Sequence, residues 1–474
     1  METPRTKRTL FLLIVSLSTL HVLSLSSFTP VDNHLIDCGS TVDSIIDNRR
    51  FIPDSSPSNS PSTLAISLID RNPSPNSPQI YHTARVFESP SQYEFKLRDS
   101  GTHMVRLHFE RLKDSKFDFS HAQFHVLVNG YVVLSHFSGD TDYDMVDPII
   151  KEYLIWVDCE KLVITFVPTK RSKFAFVNAI EVISAPKDLI ADTAQYLIGD
   201  KVEDFNGVTK QALEIVYRIN VGGPKVTPFN DTLWRTWVPD NVFLKSSNGS
   251  HHVYSSGQIK YQMGGASREV CPDNVYNTAR VITSENASIP HVNLTWEFPV
   301  MLGYKYLVRM HFCDIASISI GLLYFNVYIN GNLAYKDLDL SYVTSYMLAS
   351  PFYADFVADG DCSRVLRVSV GPSSKSMAYA VDGILNGMEV MKMNNTMGSL
   401  DGELRAELVM KSWPKGNIGI LVPLIAGVLM LVSISLVMRR RMVGLKDSVA
   451  WSKLPTDIPE VHLKHTDQQL PVKM

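Results

Sequence analysis

The 474-residue chain has few of the features that mark an enzyme or a nucleic-acid binder. No GxSxG, HExxH or CxxC occurs, and GGPK at 222–225 lacks the spacing and the Lys-Ser/Thr ending of a phosphate-binding loop. Charge of one sign is missing too. Lys and Arg number 45 against 48 Asp and Glu, a net charge of −3 that leaves no footprint for nucleic acid. Asp140, Asp142 and Asp144 open like a calcium loop, but Met145 and Lys151 stand where such a loop needs Gly and Glu, so a solvated acidic loop is the better account. His251-His252 reads as a loop pair, and no cofactor or metal is expected. Carboxylates are plentiful, but sequence alone places no two of them across a sugar bond.

Long apolar runs are scarce, and the two that occur are informative. Residues 10–25, LFLLIVSLSTLHVLSL, follow Arg5, Lys7 and Arg8 and precede Ser26, the pattern of a cleaved signal peptide over 1–26. Residues 418–438 hold no charge, and a helix of that length spans roughly 30 Å, the thickness of a bilayer core. Arg439, Arg440 and Arg441 follow, which predicts one transmembrane helix over 418–438 and a cytoplasmic tail over 439–474. The N-terminal side then lies outside the cell, at the plasma membrane. Pro423 is compatible with a span, and no GxxxG supports self-association of the helix.

Between these runs the texture is all-β, with short Val-, Ile-, Phe- and Tyr-rich segments separated by turn residues. In VRLHFE, Arg106, His108 and Glu110 share one face while Val105, Leu107 and Phe109 share the other. The second half repeats the first. IDCGS at 36–40 answers to INVGG at 219–223, YHTARVF at 81–87 to YNTARVI at 276–282, and VRLHFE at 105–110 to VRMHFC at 308–313. FHVLVNG at 124–130 answers to FNVYING at 325–331, and NAIEV at 178–182 to NGMEV at 386–390. The collinear order predicts a duplicated β domain over 31–184 and 219–393, each copy large enough for its own core. A connector over 185–218 with a short helix at Gln211–Glu214 is expected between them, and a polar stalk over 394–417 after them. Asn129-Gly130 and Asn330-Gly331 are hairpin signals. His108 and His311 recur at equivalent positions, which argues for a structural role.

Five cysteines permit one disulfide per copy with one thiol left over. Cys38 with Cys159 is the pairing open to the first copy, and Cys313 with Cys362 is one choice in the second, where Cys271 also stands; buried thiols remain the alternative. Glycosylation signals occur at Asn230, Asn248, Asn286, Asn293 and Asn394. Trp234 and Trp237 either stack on a sugar or fill a core.

INVGGP, NDTLWRTWVPD, VYNTARVI, YLVRMHFCDI, LYFNVYING, LRVSVGPS and NGMEVMKMNN, followed by one apolar helix, resemble the ectodomain of plant malectin-like receptor kinases, the FERONIA-type or Catharanthus receptor-like kinase family. The resemblance implies two tandem malectin-like β-sandwich domains. It also implies a receptor for secreted rapid alkalinization factor peptides, with GPI-anchored co-receptors and cell-wall pectin as further partners. Family members continue into a serine/threonine kinase, whereas no glycine-rich loop, V-A-I-K, H-R-D or D-F-G occurs here. The expectation is therefore a receptor-like protein that binds without catalysis. The alternatives are a decoy or adaptor that competes with full-length receptors, and a truncated form of a receptor kinase.

Overall fold

Segments that alternate apolar and polar residues become strands because successive side chains point to opposite faces. The structure, a computed structural model, describes residues 28–55, 61–62, 65–114, 116–138, 148–245, 249–283, 293–360, 362–376, 381–413 and 418–446. The expected signal peptide, the Asp140–Asp144 loop, Asn248, Asn286 and the tail beyond 446 lie outside these residues.

In the first half, strands Asn33–Asp37, Ala179–Ser184, Gly101–Phe109 and Ile149–Val157 lie side by side in one sheet. A second sheet joins Ser91–Lys96, Lys161–Pro168, Gln123–Val128 and Tyr131–Ser138. Val105, Leu107 and Ile155 from one sheet and Val126, Ile164 and Phe166 from the other share a fully buried core. The second half repeats this order with Leu213–Asn220, Gly387–Met393, Lys305–Cys313 and Pro351–Asp359. Its facing sheet is Leu294–Pro299, Val365–Pro372, Tyr324–Ile329 and Asn332–Asp339. Tyr153 and Leu154 of the first half pair antiparallel with Glu214 and Leu213 of the second, so two inner sheets merge into one 13-stranded sheet.

The connector differs from expectation. Residues Gln211–Glu214 form no helix. Instead a hairpin, Thr193–Ile198 with Lys201–Asn206, adds its first strand to Pro351–Asp359, and strand Leu213–Asn220 begins where the helix was expected. That strand gains partners on both sides, Gly387–Met393 and Ile149–Val157. Ladder pairing of this extent outweighs the weak helical preference of four residues.

The expected stalk is also different up to residue 413. Val132 N donates to Gly398 O (3.0 Å) and Leu400 N to Val132 O (2.9 Å), which straps the segment onto the first half. Leu400 is fully buried in the first-half core, and helix Ala406–Ser412 buries Val409 against Leu127, Val132 and Val167. The polar composition concealed two anchors set nine residues apart. Replacing Leu400 by alanine should cost about 2–5 kcal/mol, read by chemical denaturation.

Residues 414–474 form a separate unit. Its helix, Ile418–Lys446, contains Pro423 and runs through the uncharged stretch. Among the described residues no helix is long and apolar enough to cross a membrane. Side chains 418–422 and 424, part of that stretch, fall outside the description.

Candidate functional site

Strand register builds a row of buried charges along the merged sheet. Arg106 stands opposite Glu152 on one side and Glu181 on the other. Arg218 stands opposite Glu389, which in turn faces Arg309. Arg106 Nε donates to Glu152 Oε2 (2.6 Å) and Nη1 to Glu181 Oε2 (2.9 Å). Arg218 then joins the halves, with Nη2 donating to Glu152 Oε1 (2.7 Å) and Nε to Glu389 Oε1 (2.8 Å). Arg309 is held by Asp355, its Nε donating to Oδ1 at 2.8 Å.

The two histidines close the row at equivalent places. Tyr81 Oη lies 2.8 Å from His108 Nδ1, and His108 Nε2 lies 2.9 Å from Glu181 Oε1. Tyr276 Oη and His311 Nδ1 are 3.3 Å apart, and His311 Nε2 is 3.2 Å from Glu389 Oε2. Both rings are buried, the structural role the repetition suggested. Burial lowers the His311 pKa more than Glu389 raises it, so this ring is neutral at neutral pH.

Burial opposes ionisation of Glu152, but Arg106 and Arg218 outweigh it and hold the carboxyl at about 2. Burial likewise opposes ionisation of Glu181, and Arg106 and Arg49 hold it well below the usual range. A carboxyl whose folded pKa is depressed stabilises the fold above its unfolded value and loses that contribution as pH falls toward the folded one. Stability should therefore be level above about pH 4.5 and decline between there and pH 2, with Glu152 alone contributing on the order of 3 kcal/mol. Denaturant titrations across this range check it; stability flat to pH 2 would contradict the ladder.

Beside the ladder, between the halves, opens a cavity of about 350 Å³. Hairpin Ser44–Ile46 with Arg49–Pro53 forms one wall, turning at Asp47 and Asn48, both at positive φ (49° and 60°), as a two-residue type I′ turn requires. The turn brings Ile46, Arg49 and Phe51 to the cavity. The opposite wall comes from Ile215, Val216, Tyr217 and the loop carrying Trp234. That loop is clipped across the junction by Arg106 Nη2, which donates to Leu233 O (2.7 Å). The Arg49 guanidinium lies 5.3 Å from the Phe51 ring and 5.0 Å from the Trp234 ring, and its Nη1 donates to Glu181 Oε2 (2.6 Å).

The two tryptophans of DTLWRTWVPD therefore part company. Trp237 is fully buried and donates from Nε1 to Asp231 Oδ2 (2.9 Å), a core residue. Trp234 is half-buried and faces the cleft. Among the described residues no disulfide forms, so neither Cys38–Cys159 nor Cys313–Cys362 is bonded. Each pairing would join a core residue to a surface one. Cys38 and Cys313 are buried while Cys159 and Cys362 are exposed. Asn230 and Asn293 are exposed, whereas Asn394 accepts from Ala212 N (2.8 Å) and donates to Asn395 O (3.1 Å). Arg49, Glu152 and Arg218 escaped the sequence reading because they lie outside the repeated fragments. Arg106 and Glu181 were visible in them only as strand residues.

The sequence profile of the Malectin-like domain matches residues 36–393. A probable receptor-like protein kinase of Arabidopsis thaliana is 46% identical over 384 residues, 80% of this chain and 46% of its own length. Receptor-like protein kinase THESEUS 1 of the same plant is 40% identical over 383 residues, 79% of this chain and 43% of its own. The chain thus spans about half the length of these curated relatives. Among solved structures, the plant peptide RALF23 in complex with FER and LLG2 includes a chain 32% identical to this one. The TM-score is 0.68, covering 79% of this chain and 99% of that one.

Proposed function

The chain belongs to the Malectin-like domain family, and from that membership we propose that it is a plasma-membrane receptor-like protein that binds a secreted peptide through its ectodomain. The ectodomain comprises two tandem malectin-like domains, 31–184 and 219–393. One observation carries the reading: a chain of a crystal structure of the plant peptide RALF23 in complex with FER and LLG2 matches this one along 99% of its own length. A GPI-anchored co-receptor and cell-wall pectin are the further partners proposed.

A single membrane helix over 418–438 is proposed to anchor the ectodomain. The support is the uncharged stretch with three arginines after it, and a helix whose apolar side chains stand exposed from Ile425 to Met438. Glycans are proposed at the exposed Asn230 and Asn293. Binding of rapid-alkalinization peptides and pectin fragments to the full chain in nanodiscs tests the reading. Saturable binding of either class is expected; binding of neither would remove its support.

A further inference from the structure

We infer that the cleft between the halves is a pocket for an uncharged apolar side chain of a peptide, whose neighbouring main-chain carbonyl accepts from Arg49 Nε. The inference rests on the peptide-receptor reading above for the source of that side chain, and adds the site and its chemistry.

Charge is the first argument. Arg49, Arg106 and Arg218 are balanced by Glu152, Glu181 and Glu389, the nearest contact of each pair at 2.6–2.9 Å. An incoming carboxylate or ammonium would lose its hydration and find no free counter-charge in this network, and Asp47, the one further acid of the lining, sits exposed on the hairpin turn rather than inside the cleft. The acidic sugar of a pectin fragment is therefore disfavoured here.

Hydrogen-bonding capacity is the second. A neutral sugar ring brings several hydroxyls, each needing a partner when buried. The tyrosine hydroxyls of the cleft are engaged, Tyr81 with His108 and Tyr217 donating to Pro299 O (2.7 Å). Arg49 is 8% exposed, and its Nε is the one buried side-chain polar atom without a partner among the described cleft residues. One orphaned donor calls for one acceptor, which a peptide carbonyl supplies.

Shape is the third. Ile46, Phe51, Ile80, Ile215, Val216 and Val238 give the cavity apolar walls. Its 350 Å³ is at the small end of ligand pockets, which run from about 300 to 1,000 Å³, and suits one or two side chains rather than a long segment. Trp234, at the cleft, is held at φ +54°, a left-handed conformation that an aromatic residue rarely adopts and that tends to persist at binding sites.

Saturation-transfer NMR on the full chain in nanodiscs tests this with capped amino acids. N-acetyl-leucinamide and N-acetyl-phenylalaninamide should show contact, whereas the aspartate and lysine counterparts, galacturonate and glucose should not. Val216→Trp and, independently, a tryptophan at the second lining position, Thr236→Trp, fill the cleft and should cut the signal at least fivefold with the unfolding midpoint retained. Equal signals from charged probes or sugars, no signal from the apolar amides, or undiminished signal in a filled variant that remains folded would overturn the inference. If rapid-alkalinization peptides bind Val216→Trp as tightly as wild type, the receptor reading stands and this inference falls. If wild type binds neither those peptides, nor pectin fragments, nor the amides, both fall.

Discussion

Replacing Arg218 by alanine should destabilise residues 28–413 by about 3–5 kcal/mol, the usual cost of stranding a buried charge. The change strands two carboxylates at once, Glu152 from the first half and Glu389 from the second. Glu152 retains Arg106 as an ion-pair partner, and Glu389 retains the neighbouring His311 at 3.2 Å. Arg218→Lys keeps the charge but lacks the fork that reaches both carboxylates, so an intermediate loss is expected. Urea unfolding of the three proteins at pH 7 gives the order wild type, lysine, alanine. A further run at pH 2.5, where most of the stranded carboxylate charge can be neutralised, should narrow the gap. An alanine variant within 1 kcal/mol of wild type at pH 7 would show that the ladder contributes little.

Gly222→Ala should be at least as damaging, with a loss of roughly 3 kcal/mol or more. Gly222 sits at φ +72°, and a Cβ there would lie 2.3 Å from the carbonyl oxygen of Ala279. Its counterpart Gly39 sits at φ +84°, with that Cβ 2.4 Å from Ala84 O. In both places the obstruction is backbone within a packed strand pair, so relief requires moving the strand itself. Gly130 supplies the control. It too has positive φ (+87°), but nothing lies within 4 Å of its Cβ position. Gly130→Ala should then cost only the conformational penalty, about 1–2 kcal/mol. Equal losses at 222 and 130 would show that φ alone, and not the close approach, requires glycine.

These glycines explain why the duplication was legible. The repeated fragments are the ones local geometry and buried polar bonds constrain most: the glycine under a neighbouring strand, the Tyr–His–Glu clasp, and the Asn-Gly turns. Asn129 and Gly130 have φ of 45° and 87°, and Asn330 and Gly331 have 51° and 83°, as two-residue hairpins need. The turns are written in adjacent residues, and the glycines and the clasp, whose partners are distant in sequence, are marked by recurring in both copies. The ladder and the cleft are not. Arg49 meets Glu181 across 132 residues, and Arg218 meets Glu152 across 66. Nothing local to Arg49 or Glu152 specifies those partners; strand register does, once the inner sheets merge. The connector departs from the expected helix because Gln211–Glu214 is too short for propensity to decide against two flanking strands. The segment after 393 reads as a polar stalk because its buried apolar anchors, Leu400 and Val409, are single residues spaced among polar neighbours.

The cleft exists only while the halves are locked as one body, by the shared sheet, the Arg218 bridges and the strap ending at residue 413. Differential scanning calorimetry of residues 28–413 tests that claim most directly. The account predicts one cooperative transition, with calorimetric and van't Hoff enthalpies equal. Two separable transitions, each with about half the total enthalpy, would mean that the halves melt independently and would contradict it.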